Sequence, residues 1–153
     1  AHVEHFGYVG LFPFLLKIVD TSNTKRLIRV MNNMLEPHLL WSLYGLRSLS
    51  RLDIFFGKEE DYWRGKIWLN INYLALRSLH YYSINAKSND VRILASEVHG
   101  KLRKNLIDNL YKQYRRSGFV WENYSPQNGR GKGCFPFSGW SSLIVSIMAE
   151  LYQ

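Results

Sequence analysis

A chain of 153 residues with 46% apolar side chains can bury a real core and is too apolar to be disordered. Its 20 Lys and Arg against 12 Asp and Glu give a formal charge of +8, but they are scattered, clustering only at Lys25-Arg26 and Arg115-Arg116, so the charge reads as a solvated surface rather than a nucleic-acid site. The single cysteine, Cys134, excludes an internal disulfide and a thiolate metal cluster.

No signal-peptide pattern opens the chain. The longest charge-free run, Gly133 to Ala149, is broken by Gly, Pro and Ser and falls short of the ~18 apolar residues a membrane span needs. The segment is therefore expected to be soluble and to make no membrane contact. Cys134 has no neighbouring base, so a small buried side chain is expected there rather than a nucleophile.

Residues 5–19 are apolar almost all round and contain Gly7, Gly10 and Pro13, which predicts a buried, kinked helix. His2 and His5 stand before it without a third partner at a recognised spacing, so no metal site is expected. Thr21-Ser22-Asn23-Thr24 is a capping cluster, and Leu27, Met31 and Met34 form the stripe of an amphipathic helix over 24–36, ended by Glu36-Pro37. Trp41 to Arg51 reads as a loop or short helix. Its Arg47 offers a fork of donors to hydroxyls or a carboxylate, or is simply structural.

A second apolar segment, 66–84, predicts an interior helix. Trp63, Arg64 and Trp68 gather at its start, with Asn70 and Asn72 following. Flat rings and planar donors suit a ring covered with hydroxyls; an aromatic core turn with capped polar groups is the equal alternative. From 89 to 116 the stripe Val91, Leu94, Val98, Leu102, Leu106, Leu110, with Glu97–Lys101 and Asp108–Lys112 at supportive spacing, predicts an outer amphipathic helix. An apolar inner helix over 140–152 closes the chain.

Between those last two helices lies the informative loop, 118–142. Gly129, Gly131 and Gly133 follow at every second position, and Pro and Gly density is expected to preclude both helix and ladder. A long loop holding aromatics and one acid is typically functional. That acid, Glu122, stands between Trp121 and Tyr124, whose rings offer flat faces to a sugar or a base. Loss of hydration among them is expected to raise its pKa, which suits proton transfer in a carbohydrate cleft.

Alternating inner and outer helices with poor strand signals predict an all-α fold of stacked helical hairpins, without a linker dividing residues 1–153. Loops near 62–65 and 118–139 then converge on one cleft.

The strings His-Val-Glu-His-Phe-Gly-Tyr-Val-Gly-Leu-Phe-Pro-Phe-Leu-Leu (2–16), Tyr-Gly-Leu-Arg-Ser-Leu-Ser (44–50), Tyr-Trp-Arg-Gly-Lys-Ile-Trp-Leu-Asn-Ile-Asn-Tyr-Leu-Ala-Leu (62–76), Trp-Glu-Asn-Tyr (121–124) and Gly-Arg-Gly-Lys-Gly-Cys-Phe-Pro-Phe-Ser-Gly-Trp-Ser-Ser-Leu (129–143) closely resemble the C-terminal end of glycoside hydrolase family 63. The resemblance implies part of an (α/α)6 toroid, a single segment of a larger catalytic domain. It implies an endoplasmic-reticulum luminal enzyme with a single-pass membrane anchor, itself a glycoprotein. The activity implied is inverting removal of the outermost α-1,2-linked glucose from N-linked oligosaccharides on nascent glycoproteins, without a cofactor.

By the same resemblance Glu122 matches the family's general base. Arg47, Trp63, Arg64, Trp68, Phe137 and Trp140 match positions at or near the sugar subsites, and Tyr124 joins them as a ring beside the base. The family's general acid is an Asp on a more N-terminal part of the barrel; Asp61, in a Lys-Glu-Glu-Asp stretch, reads as solvated loop instead. The segment alone is thus expected to be inactive, to need the rest of its catalytic domain, and to expose an apolar inner face that invites self-association. A non-catalytic helical carbohydrate- or protein-binding module, with Glu122 merely accepting hydroxyl hydrogen bonds, is the alternative.

Overall fold

The computed structural model describes residues 4–59 and 61–150. Among them five α-helices carry the fold: α1 Tyr8–Leu15, α2 Thr24–Leu35, α3 Leu69–Asn85, α4 Asn89–Ser117 and α5 Leu143–Ala149. They fall on the five helical segments expected from periodicity. Asn23 caps α2 by accepting the Arg26 N–H at 3.2 Å, and Leu27, Met31 and Met34 bury its stripe. Gly118 ends α4 in the left-handed region at φ 80°, its N–H returning to Tyr114 O at 2.8 Å, while Arg115 and Arg116 lie in the last turn where the helix dipole favours cations.

The antiparallel pair α3–α4 is the spine. Val91, Val98, Leu102, Leu106 and Leu110 of α4 pack with Leu69, Leu76 and Leu79 of α3, all at most 1% exposed. Burying each such side chain is worth about 1.5–3 kcal/mol. Phe14 of α1 stacks on Tyr82 of α3 at 4.8 Å.

Three expectations need correction. Helix α1 is shorter than 5–19 and buries one face only, leaving Val9, Leu16 and Ile18 exposed. Helix α3 starts at Leu69 rather than Lys66, because Ile67 pairs in extended form with Tyr124 and Trp68 is an extended N-cap. Helix α5 buries only Ile147, with Val145 and Met148 in solvent, and residues 151 and 152 of the expected helix lie outside the described part. The helices read as interior keep an open face.

Four short strands also form among the described residues. β1 (Trp41–Ser42) and β2 (Gly45–Leu46) make a tight hairpin where a loop or short helix was expected; β3 (Asn123–Tyr124) pairs antiparallel with β4 (Gly131–Lys132) inside the glycine-rich loop. Asn72 joins hairpin, α1 and α3: its Oδ1 accepts the Leu46 N–H at 2.7 Å, and its Nδ2 donates to Leu46 O, Trp68 O and the Tyr8 hydroxyl. Fully buried, Asn72 is the capped polar group of an aromatic core turn and not a ligand contact.

Candidate active site

Glu122 immediately precedes β3, and the ladder around it fixes its backbone. Its N–H donates to Cys134 O at 3.0 Å, and its carbonyl accepts the Trp140 indole N–H at 2.7 Å. Its neighbours in the chain are also tied: Ser141 Oγ donates to Trp121 O at 2.5 Å, and Tyr124 pairs with both Gly131 and Ile67. A ladder does form here, against expectation, because it is only two residues long and the glycines supply the close approaches it needs.

Two of those approaches admit no side chain. A Cβ at Gly131 would lie 2.0 Å from the Trp121 ring, and one at Gly133 would lie 2.2 Å from Glu122 Oε2. Gly133 moreover has φ 74°, open to glycine at little cost.

Glu122 as a whole residue is 7% exposed. The Tyr62 hydroxyl donates to Oε1, and the Cys134 backbone N–H donates to Oε2 at 3.0 Å. Donation from Tyr62, the largest cause, together with the Cys134 N–H and the positive charge of Lys66, outweighs the upward push of burial and holds the pKa below its ordinary value. The expected rise is therefore wrong in sign: donors to the charged form win over desolvation. The same bond pushes the Tyr62 hydroxyl up to about 12. The site holds an ionised acceptor, suited to taking a proton.

Beside it lies an aromatic cluster. Trp63, half exposed at 49%, stacks on fully buried Trp68 at 4.0 Å and 14°. Tyr62 meets Trp68 edge-on at 4.6 Å, Trp140 tilts against Trp68 at 5.6 Å, and Phe137 against Trp140 at 4.8 Å. Glu122, Trp63, Trp68, Phe137 and Trp140 are thus brought together from three separate segments. Trp63 supplies the open face, and Trp68 backs it.

The other expected residues have different partners. Arg47, 7% exposed, donates from Nη1 to the carbonyls of Pro37, Leu39 and Trp41, bracing the approach to the β1–β2 hairpin, and lines a cavity beside it. Arg64 pairs with Glu59 at 2.5 Å and with Lys58 O at 3.2 Å. Tyr124 is fully buried with its hydroxyl accepting the Trp121 N–H at 3.1 Å, so its ring is a floor beneath the site and faces no open space. Asp61 sits in a short 3-10 turn, 2.9 Å from Lys66 Nζ.

Cys134 is exposed, contrary to the buried side chain expected, because its backbone is what the loop uses to hold Glu122. Tyr62 is the partner of Glu122 that sequence reasoning passed over. Its place directly before Trp63 was the available signal, but nothing local ties it to a residue 60 positions away. Among the described residues no group of three His, Cys, Asp or Glu could hold a metal, and no helix is long and apolar enough to cross a membrane. His2 lies outside the described part; His5 Nδ1 is 2.8 Å from Asp53 Oδ2.

Inner and outer helices joined by loops that assemble a buried carboxylate among indole rings define a partial (α/α)6 toroid. In fold the chain resembles the GH63 mannosylglycerate hydrolase of Thermus thermophilus, solved in complex with Tris, with a TM-score of 0.66 and 21% identity over 97% of this chain and 30% of that one. The family model for the glycosyl hydrolase family 63 C-terminal domain matches residues 1–150. The chain belongs to glycosyl hydrolase family 63.

Among curated proteins it is 41% identical, over 151 residues, to a probable mannosyl-oligosaccharide glucosidase of Schizosaccharomyces pombe, covering 99% of this chain. It is likewise 41% identical to the mannosyl-oligosaccharide glucosidase of Saccharomyces cerevisiae, over 97% of this chain. It spans 18% of the length of each.

Proposed function

We propose that this chain is the base-bearing segment of the catalytic domain of an inverting exo-α-glucosidase, which removes the terminal α-1,2-linked glucose from N-linked oligosaccharide precursors. The observation that carries this reading is the Glu122 carboxylate, kept ionised by the Tyr62 hydroxyl and the Cys134 N–H at the edge of the Trp63–Trp68 stack. Names borne by the relatives in two yeasts support the substrate class.

In this mechanism Trp63, backed by Trp68, receives the apolar face of the glucosyl ring, and Phe137 and Trp140 close one side. Glu122 accepts a proton from water as that water attacks the anomeric carbon. A carboxylic acid on the opposite face, supplied by the rest of the domain, protonates the departing oxygen; inversion places the two carboxyls ~6.5–9.5 Å apart. The chain by itself lacks that partner and hydrolyses nothing. The parent works in the lumen of the endoplasmic reticulum, anchored by a single membrane span outside this segment, on glucosylated N-glycans of nascent glycoproteins.

The test is glucose release by the parent with Glu122 and with Glu122→Gln, reading the product anomer by proton NMR before mutarotation. A loss of about 10²–10⁴ in rate, with β-glucose from the wild type, is the expected result. Near-normal activity of the Gln variant would remove Glu122 from the mechanism.

A further inference from the structure

A cavity of about 580 Å³ opens between the β1–β2 hairpin and the catalytic loop, within the usual size range of a ligand pocket. Its walls are Trp41 and Leu43 of the hairpin, Phe56, and the pair Pro126-Gln127 that continues the strand following Glu122; Arg51 stands at its edge. Leu43 is 74% exposed, and Arg51 and Gln127 are exposed. Among the described residues no carboxylate lines it. A second, smaller cavity shares Phe56, Pro126 and Gln127 with the first and runs on to Asp61 and Lys66. Asp61 adjoins Tyr62 in the chain, and Lys66 Nζ lies 2.9 Å from Asp61 Oδ1. The shared wall makes the two cavities neighbours in one groove beside the loop that carries Glu122.

The geometry points to this groove as a second carbohydrate site, which holds the mannosyl arm of the oligosaccharide while its terminal glucose lies at Glu122. This rests on the glucosidase reading for the identity of the ligand. An exo-acting enzyme places one sugar at the reacting centre, which leaves the remainder of a mannose-rich substrate available to another surface. Trp41 and Phe56 offer faces to sugar C–H groups, while the Arg51 guanidinium and the Gln127 amide offer planar donors to vicinal hydroxyls. A smooth apolar patch would lack those donors, and an anion site would not need the ring walls.

The experiment uses the full parent protein and the double variant Arg51→Ala/Gln127→Ala, both positions exposed and outside the catalytic machinery. Isothermal titration with a mannose-rich oligosaccharide lacking glucose reads the arm alone. About tenfold weaker binding by the variant is expected, the scale of one or two lost planar hydrogen-bonding partners. In parallel, the variant's KM for the glucosylated oligosaccharide rises while its kcat, and all constants on an α-1,2-linked glucosyl disaccharide, stay at wild-type values. Equal titration curves for the two proteins would overturn the site, as would a KM change of the same size on the disaccharide. Failure of the wild type to cleave either substrate would instead overturn the glucosidase reading, with the titration still deciding whether the groove binds sugar.

Discussion

The Tyr62 hydroxyl donates to Glu122 Oε1, joining the loop before α3 to the loop after α4. This bond lowers the Glu122 pKa more than burial raises it. It also sets the sign of the acid response. A folded pKa below the ordinary Glu value of 4.5 adds stability above that pH, which is lost as pH falls through the folded value.

Tyr62→Phe removes the leading cause of that depression and leaves burial, which acts upward. The acidic limb of the parent's pH–rate profile is therefore expected to move to higher pH. On that limb kcat/KM falls about tenfold, the scale of one charge-assisted hydrogen bond. An unmoved limb, measured on the same substrate, would show that the hydroxyl does not control Glu122.

Two glycines with similar φ separate strain from contact. At Gly118, φ 80°, a Cβ meets nothing within 4 Å, so Gly118→Ala costs about 1–2 kcal/mol of backbone strain and leaves activity intact. At Gly133, φ 74°, a Cβ falls on the carboxylate of Glu122. Gly133→Ala is expected to add to the same strain a loss of activity beyond about a hundredfold, since misplacing a catalytic group by about 1 Å costs that much. Thermal unfolding and kcat measured on both variants check this; equal kcat would count against the loop's role.

Trp63→Ala removes a half-exposed ring whose partner, Trp68, stays buried beneath it. KM is expected to rise about tenfold, the worth of one aromatic platform, with less than about 1.5 kcal/mol lost in stability. A fall in melting temperature with unchanged KM would make the stack a purely structural feature.

Val9, Leu16, Ile18, Ile84, Val145 and Met148 are all at least half exposed, on α1, its exit, α3 and α5. As an isolated polypeptide the chain is expected to self-associate through these faces. Light scattering after size exclusion decides it, and a monomer at tens of micromolar would exclude such faces as adhesive.

Much of this was legible in the residues themselves. Periodicity located the five helices, capping residues set the start of α2, and glycine spacing singled out the loop that holds Glu122. These signals are local: a helix face or a tight turn is specified by neighbours a few positions apart. Contacts between distant segments decided the rest. Asn72 became a buried junction and Arg47 a brace for carbonyls because the hairpin folds back on α3. Cys134 was left in solvent because only its backbone is needed. The pKa of Glu122 moved down and not up because a hydroxyl 60 residues away in sequence reaches one oxygen and a backbone N–H reaches the other. Sequence by itself located the helices and singled out the loop that holds Glu122; tertiary structure decided the short strands and what that carboxylate is bonded to, because hydrogen-bond geometry across a fold leaves no periodic trace in the chain.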